Sequence, residues 1–502
     1  MSEQMRTSRR LPWAAGRRLR RTTAALLLAG AAVTLAPGMA VAAPLADDLT
    51  FADPVFRTCV AANLGMPPTS AITRAKAATL TALDCGELSP ASLDGAQALT
   101  NLASLSFSYG STVSDLAPLA GLVNLRELDL PMSKVSDLSP LRALTGLTRL
   151  DVYGNPVQGL QPLAQLTKLT YLDVTGATWT TLEPLRSMTA LRRLSADQEG
   201  PVDVAAVGAL TALQRLDLAV PEVKDLSPLR NLTALTQLRV QAAATDVSAL
   251  GPLNRLRTLS LTSPATSGTG LAGKPDLTEL SVYGVRLPSL DVLAASTRLT
   301  WLVVASSGIR DVSTLRNMTD LQELVVSGVD RADLSPLSQL PQLGYLSVSE
   351  SRLGPLNQLA GFAALSSLAL NDDQLDNLDG FRLPANVSSL DVSGNHLADL
   401  SPLRCGVLVN ALGQTVQVKP AARVGQPFRL PLETVAGQTV QLGRSSAWTT
   451  TGAAISYKAA GTYQVPFVGD GPECAEVQFG GVAQQVVVAG SAPRPMRPPR
   501  DR

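Results

Sequence analysis

One short phrase, repeated fifteen times, constrains this chain more than any other feature. Residues 122–141 read LVNLRELDLPMSKVSDLSPL, and residues 144–163 read LTGLTRLDVYGNPVQGLQPL. The third leucine of each phrase sets a register that recurs every 21 to 23 residues. Such a chain grows by adding similar units rather than by enlarging one central core. The register leucines are Leu83, Leu105, Leu128, Leu150, Leu172, Leu194, Leu216, Leu238, Leu259, Leu280, Leu302, Leu324, Leu346, Leu368 and Leu390.

Each phrase contains a short segment in which apolar and polar residues alternate. In the copy Glu127–Leu130, the two leucines alternate with Glu127 and Asp129. Period-two alternation predicts a β-strand with one buried face. We therefore expect Leu128 and Leu130 to point into the core and the acidic residues to point outward.

A second signal follows each strand after about nine residues. In Asp137–Leu141, which reads DLSPL, we expect Ser139 to cap a short helical turn and Pro140 to occupy its first position, where no N–H is needed. No single strand-and-turn unit can bury its own leucines, so neighbouring units must stack into one continuous core. The DLSPL sequence recurs at 225–229, 333–337 and 399–403.

The phrase LxxLxxLxLxxN and the (D)L(S)PL turn resemble the internalin family of bacterial leucine-rich repeat proteins over roughly residues 50–490. The resemblance implies an α/β leucine-rich repeat solenoid, with about 15 parallel strands inside a horseshoe and a short 3-10 or irregular convex side over 80–404. The family places an asparagine after each strand, and this chain has Asn155 and Asn395 there. Other residues replace it elsewhere, so the asparagine ladder is mostly missing and the resemblance does not determine the turn geometry of the middle repeats. The replacements include Ser133, Ala177, Pro221, Pro264 and Val329.

Residues 1–42 have the pattern of a secretory signal. An arginine-rich start precedes the apolar segment Ala24–Ala36, which is too short to span a bilayer comfortably, and Ala40–Ala42 forms a small-residue cleavage site. An uncleaved membrane anchor is the alternative. Arg9 and Arg10 leave twin-arginine export open beside the general secretory route. The sequence therefore predicts a secreted extracellular protein without a later transmembrane segment, and loose association with the cell envelope stays open.

Both ends of the array carry segments of a different kind. Residues 43–79 are expected to form a helical cap, with helices starting at Asp53-Pro54 and after Thr73, and FADPVFRTCVAANLG resembles the internalin N-terminal cap. In 405–490 the period stops, and short alternating runs split by glycine and proline predict a small all-β sandwich. The resemblance implies that this sandwich is an immunoglobulin-like domain. The Pro/Arg tail 491–502 is expected to be disordered.

The four cysteines form an even set in a chain with an export signal, which indicates two disulfides. Three pairings exist, and we favour Cys59–Cys85, which would link the cap to the first strand. The remaining pair, Cys405–Cys474, would link the last repeat to the sandwich. Buried free thiols are the alternative.

The sequence offers little for catalysis or cofactor binding. The GxGxxG match at 268–273 lacks a strand–helix–strand context, and the only histidine, His396, has no metal-ligand spacing around it. A formal net charge of +1 argues against nucleic acid as a partner. No cofactor or metal is predicted. One outward column is rich in carboxylates, and we interpret it as a solvated face balanced by nearby arginines, with a carboxylate or cation site as the alternative. The column is Asp129, Asp151, Asp173, Ser195 and Asp217, beside Arg149, Arg193 and Arg215.

The other outward residues include large apolar side chains, which usually mark an interface when they cluster on a surface. The sequence therefore predicts a non-enzymatic, monomeric protein that binds a protein ligand with its concave face, in adhesion or recognition. An envelope-structural or wall-glycan-binding protein is the alternative, because aromatic rings also stack on sugars. An enzyme using the carboxylate column ranks third. The predicted contact residues are Tyr283, Trp301, Val303, Val325 and Tyr345, with a smaller pair at Tyr153 and Tyr171.

Overall fold

A computed structural model describes residues 48–489 apart from 306–307, 436–439, 452–453 and 472–473. The predicted signal 1–42 and the predicted tail 491–502 lie outside the described residues.

The described chain begins with two α-helices, α1 (Pro54–Asn63) and α2 (Arg74–Ala77). Asp53 caps α1, because its Oδ1 accepts hydrogen bonds from the N–H groups of Val55 and Phe56 at 2.7 and 3.3 Å. Thr73 caps α2 through its hydroxyl oxygen. Both helix starts are where the sequence predicts them. Asp53 also accepts hydrogen bonds from backbone N–H groups in the first repeat, so the cap and the array share one carboxylate.

Sixteen strands of the described chain then stack in parallel, in register with the repeated leucines. Leu150, for example, pairs with Leu128 on one side and with Leu172 on the other, and all three are fully buried. This arrangement confirms the predicted solenoid and its inward leucine face. The strands are β1 (Ala82–Asp84), β2 (Ser104–Ser106), β3 (Glu127–Asp129), β4 (Arg149–Asp151), β5 (Tyr171–Asp173), β6 (Arg193–Asp197), β7 (Arg215–Val220), β8 (Gln237–Ala242), β9 (Thr258–Thr262), β10 (Glu279–Tyr283), β11 (Trp301–Ala305), β12 (Glu323–Ser327), β13 (Tyr345–Ser349), β14 (Ser367–Asn371), β15 (Ser389–Asp391) and β16 (Leu408–Arg423).

The convex side consists of short 3-10 helices, as expected, but the capping atom differs from the prediction. Ser139 lies inside its 3-10 helix, and Asp137 satisfies the start of the turn. The Asp137 carboxylate accepts hydrogen bonds from the Ser139 N–H at 2.8 Å and from the Ser139 hydroxyl at 2.6 Å. The expectation that Ser139 is the cap is therefore wrong, because its hydroxyl donates to the Asp137 carboxylate instead of accepting from an N–H of the helix. Pro140 accordingly lies at the second helical position rather than the first. The 3-10 helices are Ala96–Ala98, Ala117–Leu119, Ser139–Leu141, Gln161–Leu163, Glu183–Leu185, Ala205–Ala209, Ser227–Asn231, Ser248–Leu250, Thr269–Leu271, Asp291–Leu293, Ser313–Asn317, Ser335–Gln339 and Leu356–Gly361.

The asparagine after β4 satisfies backbone groups of its own turn and of the preceding repeat. Buried Asn155 donates to the carbonyls of Leu130 and Val152 at 2.7 and 3.0 Å and accepts from the Val135 N–H at 2.9 Å. Among β1–β15, only β4 and β15 are followed by this asparagine, and both strands are three residues long. The strands without it include the three-residue β1, β2, β3 and β5 as well as β6–β14, which extend over five or six, so strand length does not follow from the asparagine alone.

The last part of the described chain is a small all-β region that continues the array sheet. The start of β16 pairs with β15 in parallel, and the strand also pairs in parallel with β22 along almost its whole length, from Val409 to Arg423. Antiparallel pairs join β21 to β22 and β18 to β21, and a second sheet has the order β17-β20-β19. Phe467 and Phe479 are buried in this region. Its strands are β17 (Phe428–Arg429), β18 (Gln441–Leu442), β19 (Trp448–Thr451), β20 (Ala454–Tyr457), β21 (Gly461–Gly471) and β22 (Cys474–Val488).

A disulfide joins Cys59 in α1 to Cys85 just after β1, with a Cα–Cα distance of 5.2 Å, which confirms the predicted link between cap and array. Cys405 is also disulfide-bonded. The side chain of its predicted partner, Cys474, lies outside the described part of the chain, so that pairing stays a prediction.

Candidate functional site

The concave face is built from three rows of outward side chains that cross the strands. The first row holds the residue before each register leucine, the second row holds the residue after it, and the third row holds the residue three places after it. Neighbouring parallel strands lie about 4.8 Å apart, so consecutive members of a row are close neighbours. The residues between the rows point inward, and in β11 Leu302 and Val304 have no exposed surface.

The aromatic patch is the set Tyr283, Trp301, Val303, Val325 and Tyr345 on strands β10–β13. Trp301 and Tyr345 lie in the first row and are partly exposed. Val303 and Val325 are paired neighbours in the second row, where Val303 is only 6% exposed and forms the floor of the patch. Tyr283 lies in the third row and is 38% exposed. The fold thus brings all five predicted residues to one face.

Glutamates flank the aromatic side chains of the first row. Glu279 pairs in register with Trp301, Trp301 with Glu323, and Glu323 with Tyr345. Glu279 is partly exposed and Glu323 is exposed. Trp301 therefore has a glutamate in register on the strand at either side.

The smaller predicted pair, Tyr153 and Tyr171, is divided between two environments. The Tyr171 ring lies between two guanidinium groups, with the Arg149 and Arg193 carbons 3.6 and 5.0 Å from its centroid. Tyr153 instead packs edge-on against Tyr109, with ring centroids 6.5 Å apart. Tyr109 is 70% exposed and was missed by sequence reasoning. The sequence does contain a signal for Tyr109. The step from Leu105 to Leu128 is the one 23-residue step of the register, and the extra residue lengthens the turn after β2.

Internal partners occupy the carboxylate column of the second row. Arg149 donates through Nε to both oxygens of Asp129 at 2.8 and 2.9 Å, and its Nη2 reaches Asp151 at 3.4 Å. The Tyr171 hydroxyl donates to Asp151 at 3.2 Å. Asp173 accepts from the Thr175 N–H at 3.1 Å. The negative charges of this column are therefore balanced by side chains of the array itself, which is the interpretation that the sequence favoured.

Burial dominates the electrostatics of this column. It raises the pKa of Asp129, although the nearby Arg149 charge lowers that pKa in part. It also raises the pKa of Asp173, helped by the charge of Asp151. Burial raises the pKa of Tyr171 to about 12, so this phenol is neutral and can donate. The column is therefore held by hydrogen bonds and ion pairs within the array.

Two buried ionisable groups inside the array were missed by sequence reasoning. Lys274 has no exposed surface, and its Nζ donates to the Leu250 carbonyl at 2.9 Å; burial lowers its pKa to about 8. Asp373 is 2% exposed and stands at the ladder position that Asn155 occupies in its repeat. Burial raises its pKa to about 8. The available signal was positional, because Lys274 replaces a core leucine and Asp373 replaces an asparagine of the repeated phrase.

Other kinds of site find little support in the described residues. A cavity of about 480 Å³ is lined by Arg331, Arg352, Asp373 and their neighbours, and the aromatic patch does not contribute to it. No group of three or more His, Cys, Asp or Glu side chains in the described part could hold a metal ion. The two α-helices described have ten and four residues, so neither reaches the length and hydrophobicity of a membrane span.

Comparison with known proteins agrees with this architecture. A family model described as "Leucine-rich repeat region" matches residues 79–378. The crystal structure of internalin InlF from Listeria monocytogenes is 28% identical with a TM-score of 0.60, and the match covers 63% of this chain and 95% of that one. The functional domain of InlJ, also from Listeria monocytogenes, is 21% identical with a TM-score of 0.54, covering 87% of this chain and 97% of that one.

A plant peptide hormone receptor, RGFR1 in complex with RGF2, is 16% identical with a TM-score of 0.50, and the match covers 64% of this chain and 57% of that one. At this identity, as for InlJ, the likeness concerns the fold alone. A search of curated protein sequences gives no match. The matched repeat region, the parallel strand ladder and the likeness to InlF together show that the chain belongs to the leucine-rich repeat family and is an internalin-like member of it.

Proposed function

We propose that this protein is a secreted, non-enzymatic binding protein that engages a protein ligand through its concave face, in adhesion or recognition. The observation that carries the proposal is the aromatic patch on four consecutive strands. Trp301, Tyr345 and Tyr283 keep exposed surface there, whereas the leucines of the same strands are buried. Exposed aromatic side chains that cluster on one surface are typical of interfaces, and they supply much of the binding energy.

Two further features support the proposal. The fold serves protein–protein binding in other members of this family, and RGFR1 was solved in complex with RGF2. The second-row carboxylates of Asp129 and Asp151 are engaged by Arg149 and Tyr171 within the array, which leaves the aromatic patch as the candidate contact surface. We infer further that residues 1–42 direct export, that 43–79 cap the array, and that 405–490 form an immunoglobulin-like domain behind it.

The experiment compares Trp301→Ala with the unchanged protein in a binding screen and in a melting experiment. The screen presents extracellular proteins and a glycan array side by side. We expect a protein ligand, and we expect Trp301→Ala to weaken its binding at least about tenfold, or about 1.4 kcal/mol. The melting temperature should change little, because Trp301 lies outside the leucine core.

Tyr109→Ala is the matched control, since it removes an exposed aromatic side chain from the turn after β2, eight strands before the first strand of the patch. It should leave the binding unchanged. Binding to glycans alone would favour the wall-glycan alternative. A Trp301→Ala protein that binds normally but melts much lower would contradict the proposal, because Trp301 would then be a core residue.

A further inference from the structure

We propose that the aromatic patch recognises a basic segment of its protein partner, with a lysine or arginine side chain seated on Trp301 between the carboxylates of Glu279 and Glu323. The inference rests on the proposed binding function and adds the chemistry of the ligand. Its starting point is the order of side chains in the first row, which reads Glu279, Trp301, Glu323 and Tyr345 on β10–β13.

The geometry of the row suits a cation. Register pairing places Glu279 and Glu323 on the strands directly beside that of Trp301, about 4.8 Å away on each side. Trp is the side chain that attracts cations most strongly through its ring face. An ammonium or guanidinium group above this ring would have a carboxylate within reach on either side.

The two glutamates of the patch have no ion-pair partner in the part of the chain that the structure describes. Among the described residues, no lysine or arginine forms an ion pair with Glu279 or Glu323. The second-row and third-row residues of β10–β13 carry no charge, so the two glutamates are the charged groups of this surface. Those uncharged residues are Ser281, Tyr283, Val303, Ala305, Val325, Ser327, Ser347 and Ser349.

Tyr171 lies in the same row and is an aromatic side chain that already has cations beside its ring. Tyr171 has arginines on both neighbouring strands, and their guanidinium carbons lie 3.6 and 5.0 Å from the ring centroid. Row spacing therefore allows a cation on a neighbouring strand to reach the ring. At Trp301 the neighbours on both adjacent strands are glutamates instead, so these strands offer carboxylates to a partner's cation rather than a cation of their own.

Electrostatic cost separates the candidate partners. An acidic or wholly apolar segment would cover Glu279 and Glu323 without supplying counter-charges, and unpaired charges at an interface are costly. A basic segment supplies the counter-charge and keeps the contact with the ring. The patch therefore selects for positive charge as well as for an apolar surface.

The test uses two synthetic peptides of one sequence pattern, the first carrying lysine and arginine and the second carrying glutamate at the same positions. Each is titrated into the purified protein at low and at moderate salt. We expect the basic peptide to bind and the acidic peptide not to bind. The double variant Glu279→Gln and Glu323→Gln should bind the basic peptide about tenfold more weakly, with an unchanged melting temperature.

Glu127→Gln is the matched control, because Glu127 is an exposed first-row glutamate on β3, away from the patch. It should bind the basic peptide as the unchanged protein does. Equal affinity of the double variant would overturn the inference. An equal loss in Glu127→Gln would also overturn it, because the peptide would then follow overall charge rather than this site.

A second measurement separates this inference from the proposed function. The partner found in the screen is titrated into Trp301→Ala and into the double glutamine variant. If only Trp301→Ala weakens binding, the concave face still binds its ligand but the basic-segment inference fails. If neither variant weakens binding, binding through the aromatic patch fails altogether. Loss in both variants supports both statements.

Discussion

Asp373 stands where the repeated phrase calls for asparagine, and replacing it by asparagine should stabilise the protein. In the following repeat, Asn395 donates through Nδ2 to the carbonyls of Leu370 and Val392 at 2.7 and 2.8 Å. Asp373 accepts a hydrogen bond from the Ser351 N–H at 2.8 Å through Oδ1. Its Oδ2 is buried and meets no hydrogen-bond partner within the described part of the chain. A carboxylate cannot donate to carbonyls, whereas the amide of Asp373→Asn can.

The size of the effect depends on pH, because burial raises the pKa of Asp373 to about 8, and the charge of Asp372 adds to this shift. The folded pKa lies above the ordinary value of 3.8, so the folded state holds the proton more tightly than the unfolded state. The stability that this proton supplies is fully present below about pH 4 and is lost as the pH rises to about 8. One pKa unit corresponds to about 1.4 kcal/mol, which limits the whole loss to roughly 6 kcal/mol.

Asp373→Asn has no carboxyl group to ionise at this position, so the loss of stability between about pH 4 and pH 8 disappears. New hydrogen bonds contribute about 1 kcal/mol each, and relief of a buried unpaired acceptor contributes about 1–3 kcal/mol. We expect the substitution to stabilise the protein by about 3 kcal/mol at pH 9. At pH 4 the difference should be below about 1 kcal/mol, because a protonated carboxyl group can donate as an amide does.

Denaturant unfolding of both proteins at pH 4 and pH 9 measures the difference, with midpoints compared at constant slope. Asp376→Asn is the control, since it removes an exposed carboxylate three residues away and should shift neither midpoint. A gain for Asp373→Asn that is the same at both pH values would refute the reasoning, because it would mean that Asp373 does not change its protonation state within this range.

Three further predictions concern the fold and its links. Leu216→Asp should abolish cooperative folding, because it buries an unpaired charge, whereas Asp217→Ser should cost less than about 1 kcal/mol; similar melting curves would show that the strand phase is wrong. Asp53→Ala should cost about 1–2 kcal/mol by the loss of a helix cap. Burial by itself would raise the pKa of Asp53. The backbone N–H groups that donate to its carboxylate outweigh burial, so the pKa lies below its usual value. The contribution of Asp53 is therefore present above about pH 4 and should disappear in acid, which chemical unfolding at pH 7 and pH 3 would reveal. Non-reducing peptide mapping should find Cys405 linked to Cys474, and alkylation of either thiol in the unreduced protein would contradict this.

Sequence reasoning predicted the features that depend on local pattern. The repeated leucine fixes which strand residues point inward, since a strand alternates its side chains and every copy of the phrase has the same phase. The start of α1 after Asp53 follows from an equally local signal and is confirmed. The link from Cys59 to Cys85, favoured among three pairings because it joins the cap to the first strand, is confirmed as well. The placement of Trp301 on the concave face belongs to the same class.

Only the tertiary structure decided what surrounds each outward or replaced residue. Tyr171 and Trp301 occupy the same place in the phrase, yet one ring is held between two arginines and the other stands between two glutamates. Ser139 resembles a cap in sequence, but the Asp137 carboxylate makes the contact. Asp373 becomes a buried, high-pKa group because the neighbouring repeats exclude water from it. A short sequence pattern determines which side chains of a strand point inward. The burial and the charged neighbours of a side chain depend on atoms of the adjacent repeats, which come close to it only when the repeats stack.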